Sequence, residues 1–324
     1  MIKKALLFLT LFIEISPISL VYNLKTRRIF FFGGSAAAGA LSPLAKKKSI
    51  WLLSIIPIVY KRKRHIVTDI LDRNLHVIPI DVFEKRVIRG SIFNLRYIYK
   101  RSFWFEVTTG AEKERAISCG TINSDITRKG VDDIVVSTGY NIFPNKDTQF
   151  TPYIIGGVPV NRSLTSEELF DTFVGTRFYG LGAGGEFAYS FVNSLKTTFA
   201  GLLQLRSIHF FPKKWTPVLP CSATLNPGNV TDFLIAAQYR KKKTLVEVGF
   251  DSTFFTNQAI WLKTGSLETD KFVRQSFYAN FGHLFTKFPF IPKPVLLGAG
   301  FYVAELKRFD TKISSFWVNF TVIF

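Results

Sequence analysis

Ile313 to Phe324 reads ISSFWVNFTVIF, and apolar residues recur at every second position along it. Side chains of a β-strand point alternately to opposite faces, so residues two apart share a face. One face of this segment is strongly apolar and the other is mixed, which predicts an amphipathic strand. The apolar face carries Phe316, Val318, Phe320, Val322 and Phe324, and the mixed face carries Ser315, Trp317, Asn319, Thr321 and Ile323.

The same period of two recurs back to residue 94 and predicts ten further strands. Ser49 to Tyr60 alternates less clearly and is the candidate for a twelfth. Residues 62–92 lack the pattern, and we expect a long excursion there, in which Val67 to Leu75 forms a helical turn or two. The ten segments are Asn94–Lys100, Ser102–Gly110, Asp133–Phe143, Gln149–Val160, Arg177–Phe191, Thr197–His209, Val230–Arg240, Thr244–Phe254, Arg274–Phe285 and Pro294–Glu305.

The lengths of the connections favour a membrane barrel over a soluble β-sandwich, which could also show alternation. Short connections alternate with long ones along most of the chain, as they do in barrels with turns on one side of the membrane and loops on the other. The pattern breaks near the end, where 287–293 is long and 307–310 is short. Short connections fall at 100–101, 145–147, 193–196 and 241–242, and long ones at 111–130, 161–176, 211–229 and 256–273.

The apolar segments are too short for spanning helices, which need about 18–20 apolar residues. Strands can cross a bilayer only in a closed barrel, because closure pairs every backbone polar group. The sequence therefore predicts an all-β fold, a closed antiparallel transmembrane β-barrel of about 12 strands. We assign residues 1–23 to a signal-like segment, 24–92 to a poorly defined region with a candidate first strand at 49–60, and 93–324 to the barrel.

The N-terminal segment begins with Lys3 and Lys4 and continues as an apolar run from Ala5 to Ile13. A short basic region before an apolar core is the layout of a secretory signal, which is our interpretation. An N-terminal anchor helix is the alternative, although the run is short for a membrane span.

The net charge of +19 comes from 42 Lys and Arg against 23 Asp and Glu. A nucleic-acid binder gathers its cations on one face or arm, whereas the basic clusters here are scattered and mostly end apolar segments. Anionic lipid headgroups attract cations at such positions. We therefore expect the partner to be a lipid bilayer, with no nucleic acid; a soluble basic β protein that binds nucleic acid is the alternative.

The last residues of the chain resemble the C-terminal signal of Gram-negative outer-membrane barrels. In that signal a terminal Phe follows apolar residues two and four places earlier, and Phe320, Val322 and Phe324 match it. The resemblance covers roughly residues 94–324 as architecture and identifies no narrower family. It implies an integral, multi-pass location in the outer membrane and recognition by the barrel-assembly machinery.

Polar and charged residues on the inward face are the candidates for lining a lumen. Rings of Arg and carboxylates tune the selectivity of pores, so the leading hypothesis is passage of a small hydrophilic solute through a polar lumen. Two alternatives stay open: a barrel filled by its own paired charges, and a structural or adhesive barrel that acts through long external loops. The lumen candidates are Arg96, Glu106, Asp133, Glu186, Arg206, Asp232, Arg240, Glu247 and Asp251.

Catalytic and cofactor signals are weak. Ser207 and His209 share a face without an accompanying carboxylate motif, and Ser252 beside Asp251 has no neighbouring His, so we expect no enzyme activity. No spacing suggests a metal site, and no cofactor is expected. The glycines between 180 and 185 alternate with period two and indicate a strand with an empty inner face rather than a phosphate loop.

The two cysteines, Cys119 and Cys221, fall in two of the long connections. Both connections belong to the external side in the predicted topology, where the environment is oxidising. A disulfide that clamps the loops and a pair of free thiols are equally compatible with the sequence.

Overall fold

The computed structural model describes residues 49–71, 77–100, 102–121, 123–160, 178–194, 196–215, 223–257, 259–262, 265–268, 271–306 and 311–324. Within these ranges, no helix is long and apolar enough to cross a membrane. The strands of these ranges are β1 (Ile50–Leu71), β2 (Val77–Tyr99), β3 (Phe103–Gly120), β4 (Ser124–Val131), β5 (Ile134–Tyr140), β6 (Thr148–Val158), β7 (Gly180–Asn193), β8 (Thr197–Phe210), β9 (Lys213–Trp215), β10 (Ala223–Asn226), β11 (Asn229–Lys241), β12 (Thr244–Phe255), β13 (Ala259–Leu262), β14 (Gly265–Glu268), β15 (Phe272–Phe285), β16 (Val295–Leu306) and β17 (Thr311–Ile323).

Twelve strands form a closed antiparallel wall, which confirms the predicted barrel. Around the wall the order is β1, β2, β3, β5, β6, β7, β8, β11, β12, β15, β16 and β17. The ring closes where β1 pairs with β17, in a register that runs from Leu52 opposite Ile323 to Lys63 opposite Lys312. Closure leaves no free edge within the wall, as an apolar surrounding demands.

The alternation read from the sequence becomes two faces of the wall. Outward side chains are exposed and largely apolar, whereas inward side chains are buried. The apolar face of the C-terminal segment, from Phe316 to Phe324, points outward, and Trp317 and Asn319 point into the interior. A wall of this kind presents its apolar face to lipid.

The connections sort to two ends of the barrel. One end carries the joins β2–β3, β5–β6, β7–β8, β11–β12 and β15–β16, and the opposite end carries the joins β1–β2, β3–β4, β6–β7, β8–β11, β12–β15 and β16–β17. The long 287–293 segment therefore lies at the end with the turns, and Leu306 and Thr311, the ends of β16 and β17, lie at the end with the loops. In outer-membrane barrels the turns are periplasmic and the loops extracellular. By that rule, the end with the turns is called the periplasmic end and the end with the loops the extracellular end.

The structure differs from the sequence-based expectation over residues 62–92. β1 continues to Leu71 and β2 starts at Val77, so the described residues of this range form two long paired strands rather than an excursion with helical turns. Residues 72–75 of the predicted helical stretch lie outside the described residues. With the outer half of β3 and with β4, the β1–β2 pair continues past the rim of the wall, where the β1–β17 pairing ends at Lys63, and forms a sheet at the extracellular end. We call this the projecting sheet: Lys61–Leu71, Val77–Arg89, Glu112–Gly120 and Ser124–Val131.

The physical reason for this difference is that neither segment has the usual contrast between faces. Ser49 to Tyr60 alternates poorly because its inward residues, among them Ile56 and Ile58, are as apolar as its lipid-facing ones. In the projecting sheet both faces carry charge, because Arg62 and Arg64 point inward while Lys61 and Lys63 point outward. Hydrophobic periodicity cannot report a strand without an apolar face.

Two extracellular connections also form strands. The β8–β11 connection supplies β9 and β10, and the β12–β15 connection supplies β13 and β14. These four strands form a second sheet in the order β14, β13, β10, β9, and β10 pairs with β13 across the two connections.

Four inward aromatic residues each lie directly opposite a glycine on the neighbouring strand. The pairs are Trp104 with Gly139, Tyr153 with Gly184, Tyr278 with Gly249, and Trp317 with Gly300. A Cβ added to Gly139 would lie 2.7 Å from the Trp104 ring, and one added to Gly184 would lie 2.6 Å from Tyr153. The empty inner face predicted for the glycine run is therefore partly covered by a ring from the adjacent strand.

Candidate functional site

All nine predicted lumen residues lie on the interior side of the barrel and are buried. Strand parity places eight of them there, because each is in phase with inward neighbours on its own strand, and Asp133 directly precedes β5. Their contribution to a conducting lumen stays a prediction. They are Arg96, Glu106, Asp133, Glu186, Arg206, Asp232, Arg240, Glu247 and Asp251.

A hydrogen-bonded network connects β8, β11, β12 and β15 around Asp232. Arg206 on β8 forms a buried ion pair with Asp232, its cross-strand partner on β11. The other carboxylate oxygen of Asp232 accepts a hydrogen bond from the Thr253 hydroxyl at 2.6 Å. Arg274 Nη2 in turn donates to Thr253 Oγ1 at 3.3 Å. Two guanidinium groups therefore lie around one carboxylate.

A second network lies nearer the periplasmic end on the same strands. Glu247 accepts hydrogen bonds from the Tyr278 hydroxyl, at 2.7 Å, and from the Gln238 amide. Ser276 donates to Asp251, two inward positions further along β12 with Gly249 between. The carboxylates on β12 are thus held by polar side chains from both neighbouring strands.

The opposite wall holds a smaller polar group on β2 and β3. The Arg96 guanidinium lies 4.5 Å from the centre of the Trp104 ring, a cation–π arrangement. Asn94 donates to Thr108 at 2.7 Å, and Thr108 donates to Glu106 at 3.3 Å. Arg96 and Glu106 are direct cross-strand partners.

Sequence reasoning missed several members of these networks. Arg274, Thr253 and Tyr278 are buried and hydrogen-bonded inside the barrel. Arg274 starts the predicted strand 274–285 and is in phase with Ser276 and Tyr278, which point inward. The alternation of inward and outward residues, extended back to residue 274, would have identified Arg274 as an inward residue.

The interior wall also has apolar zones beside these polar networks. A central cluster includes Ile56, Ile58, Tyr60, Leu202 and Trp317. A second cluster lies where β1 and β16 begin and β15 and β17 end, at the periplasmic end. It consists of Ile50, Leu52, Leu245, Leu284, Leu296 and Ile323.

Charge is segregated between the inside and the outside of the barrel. Among the described residues the buried cations are all arginines, whereas lysines lie outside or at the ends. Arginine suits buried ion pairs because its planar fork binds carboxylates with several donors.

Below the projecting sheet, the buried charged side chains are four arginines and seven carboxylates. They are Arg96, Arg206, Arg240 and Arg274, with Glu106, Asp132, Asp133, Glu186, Asp232, Glu247 and Asp251. The interior is thus acidic in a chain whose net charge is +19.

The inner face of the projecting sheet carries a charged cluster above the membrane. Glu84 pairs with Arg62 and with Arg64, the latter at 2.5 Å, and Arg86 Nε lies 2.6 Å from Glu114. Burial raises the pKa of Glu84, but Arg62, Arg64 and Arg86 outweigh burial and hold that pKa well below its ordinary value. The carboxylate is therefore charged throughout the physiological pH range.

The nearby Glu112 behaves in the opposite way. The apolar outer band on β3 ends at Ala111, so Glu112 lies just above the membrane. Burial raises its pKa to about 8; repulsion from Glu114 and Asp133 adds to this effect and Arg86 opposes it. Glu112 is therefore largely protonated at neutral pH.

The other candidate residues of the sequence do not assemble into a catalytic group. Ser207 and His209 point outward and bond to Thr231 and Asn229 on β11. Asp251 points inward and Ser252 outward, as neighbours in a strand must. No group of three metal-binding side chains occurs among the described residues. Cys119 is an exposed, free cysteine; Cys221 lies outside the described residues, so the disulfide stays a prediction.

The residues of the C-terminal motif close the seam of the barrel. Phe324 N donates to Trp51 O at 2.9 Å, and Trp51 N donates to Phe324 O at 3.2 Å. Phe320, Val322 and Phe324 point outward from the wall. Residues 1–23, the signal-like segment, lie outside the described residues.

No family model and no curated protein matches the chain in sequence. An outer-membrane channel from Pseudomonas putida F1 matches in structure with a TM-score of 0.57 and 14% identity, over 84% of this chain and 95% of that one. The transport unit of the autotransporter AIDA-I from Escherichia coli matches with a TM-score of 0.48 and 10% identity, over 88% and 96%. The NanC porin matches with a TM-score of 0.39 and 10% identity, over 83% and 98%.

These structural neighbours are outer-membrane barrels, and at such low identity the likeness is one of fold. Together with the closed 12-strand wall and its apolar outer face, it defines the class of this protein. The chain is an integral transmembrane β-barrel with the fold of outer-membrane barrels.

Proposed function

We propose that the protein is a narrow, cation-preferring channel for small hydrophilic solutes. The buried carboxylates inside the wall outnumber the buried arginines there, with Arg62 at the rim counted among the arginines, and this excess is the observation that carries the proposal. Fixed charges of one sign along a narrow pore favour the permeation of ions of the opposite sign. The outward lysines do not change this preference, because they face lipid or solvent rather than the interior.

The interior side chains also suggest the size of the path. Glu106 and Glu247 are 0% exposed and Leu202 is 1% exposed. A twelve-strand barrel encloses less space than the wide porins of 16–18 strands. We therefore expect a constricted lumen, in which solutes pass along the polar networks after small side-chain rotations, with low conductance.

Purified full-length protein in planar lipid bilayers tests the proposal. Under a gradient of potassium chloride, we expect discrete low-conductance openings and a reversal potential displaced toward that of potassium. Protein that is folded, as judged by a heat-modifiable gel shift, but electrically silent would contradict the proposal. A reversal potential displaced toward that of chloride would contradict its charge preference.

The projecting sheet favours a second candidate, a structural or adhesive barrel that acts through its extracellular surface. It consists of parts of β1, β2, β3 and β4 beyond the wall. Removal of residues 64–84, which shortens the β1–β2 hairpin, would abolish binding to a surface partner and leave conductance intact. Charge neutralisation inside the wall would have the reverse effect.

In both candidate roles the protein catalyses no reaction and binds neither a cofactor nor nucleic acid. Ser207 and His209 face outward, where no carboxylate bonds to them in the described structure. We propose that the working partners are the bilayer, the barrel-assembly machinery and a small hydrophilic solute. Co-purification with the assembly machinery during biogenesis tests the second of these.

A further inference from the structure

The outer face of the projecting sheet carries six exposed cations besides Arg115, which pairs with Asp125, and they begin just beyond the membrane-facing band. They come from all four strands of that sheet, and we call them the outer basic patch. The patch consists of Lys61, Lys63, Lys85, Arg89, Lys113 and Lys129.

Strand register brings these cations into direct opposition. Arg89 lies opposite Lys113 across β2 and β3, and Lys113 lies opposite Lys129 across β3 and β4. Lys63 lies opposite Lys85 across β1 and β2. Neighbouring strands are about 4.8 Å apart, and like charges directly opposite each other destabilise a sheet. The arrangement therefore favours an anionic counterpart.

The acids described on the same face of the projecting sheet do not supply that counterpart. Asp125 is held by Arg115, which donates to its two oxygens at 2.9 and 2.6 Å. Asp81 lies 2.7 Å from His65 Nε2. None of the six patch cations has an ion-pair partner among the described residues. The face is therefore strongly positive.

The patch is continuous with the lipid-facing surface of the wall. Ala111 and Val131, two positions below Lys113 and Lys129, are exposed on the same outward face, and Phe93 is exposed four positions from Arg89. A step of two residues along a strand is about 6.6 Å. The cations thus begin one step above the apolar band, at the depth of the headgroups of the extracellular leaflet.

We propose that the outer basic patch binds phosphorylated lipid headgroups of the extracellular leaflet. Clusters of Lys and Arg beside a hydrophobic span attract anionic lipids. Ammonium and guanidinium groups form charge-assisted hydrogen bonds with phosphate oxygens. The opposed rows offer two or more cations to each phosphate, which a dispersed set of surface lysines would not.

Titration of the detergent-solubilised full-length protein with diphosphorylated lipid A tests this proposal. The patch variant K63Q/K85Q/K113Q/K129Q is compared with K146Q/K196Q/K241Q/K287Q, which removes four exposed lysines from the periplasmic end. We expect the patch variant to bind about tenfold more weakly or worse, and the periplasmic variant to bind like the unmodified protein. A heat-modifiable gel shift checks that each variant is folded.

Two outcomes would overturn the proposal. Equal weakening in both variants would mean that net charge, rather than this patch, drives the binding. Displacement of the lipid by an equal concentration of inorganic phosphate would mean that the patch recognises free phosphate rather than a membrane headgroup. The proposal would be supported if removing the phosphates from lipid A weakened its binding to the unmodified protein and left its binding to the patch variant unchanged.

Discussion

The indole of Trp317 lies over Gly300, the residue directly opposite it across β16 and β17. A Cβ added to Gly300 would come closer to the Trp317 ring than van der Waals contact allows. The same relation joins Tyr278 to Gly249 on β15 and β12. Large rings thus fit against the inner wall because their partners have no side chain.

Replacing Gly300 with Ala should destabilise the barrel, because the new methyl group displaces the Trp317 ring from its site. Overpacking of this kind costs about 1–3 kcal/mol. Urea unfolding in lipid vesicles, followed by tryptophan fluorescence, measures the change. Gly156→Ala is the matched control, because the nearest atom to its added Cβ lies 3.9 Å away. Equal stability of the two variants would contradict the steric account.

The Arg206–Asp232 ion pair should be coupled strongly to the stability of the folded barrel. Replacing Arg206 with Met, or Asp232 with Asn, leaves an uncompensated buried charge, and each change should cost about 3 kcal/mol. The double variant should cost less than the sum of the two by about 1–3 kcal/mol, since it leaves no unpaired charge. Additive losses in urea unfolding would show that the two side chains act independently.

Strand parity allowed the sequence to predict the wall and the inward position of its charges. Arg206 and Asp232 were both assigned inward from their own strands, although their pairing also needs the register between β8 and β11. The partnership of Trp317 with Gly300 likewise depends on register, which the pattern of a single strand does not contain. The cluster around Glu84 was missed because the projecting sheet has charge on both faces and no apolar periodicity.

Neutralising interior carboxylates should reduce the cation preference of the channel. Glu186 and Asp251 both point inward, and the double variant E186Q/D251N removes two negative charges while keeping similar volumes. We expect the reversal potential in a salt gradient to move toward zero in planar bilayers. K63Q/K85Q changes charge only on the outer face and should leave the reversal potential unchanged. A shift in that control, or none in the interior variant, would contradict the assigned path.

The stability of the projecting sheet should fall as pH rises through the range set by Glu112. Its folded pKa of about 8 lies above the ordinary value of 4.5, because burial and then Glu114 and Asp133 favour the protonated form. The stabilisation is complete below pH 4.5 and is lost as pH rises toward 8. Glu84 has a lowered pKa, so it stays charged and adds no pH dependence in this window.

Hydrogen exchange in β3 and β4, corrected for intrinsic rates, measures this effect. Protection should decrease between pH 5 and about 9 in the unmodified protein, and E112Q should remove most of the decrease. Asp125→Asn is the control at an exposed carboxylate of the same sheet. An unchanged pH profile in E112Q would assign the effect to another group.

Phe324 should contribute to assembly through its side chain and to closure through its backbone, and the two contributions can be separated. Its backbone forms both hydrogen bonds to Trp51 at the seam, and Phe324→Ala keeps them. The side chain is 54% exposed on the outer face, so its loss should cost little folded-state stability. We therefore expect F324A to refold in detergent like the unmodified protein, with the same heat-modifiable gel shift.

In cells, F324A should reach the outer membrane in reduced amount if the assembly machinery recognises the aromatic ring. Val318→Ala, which also removes an outward apolar side chain from β17, is the control and should assemble normally. Normal cellular assembly of F324A would contradict the signal interpretation, and failure to refold in detergent would assign the ring a structural role at the seam instead.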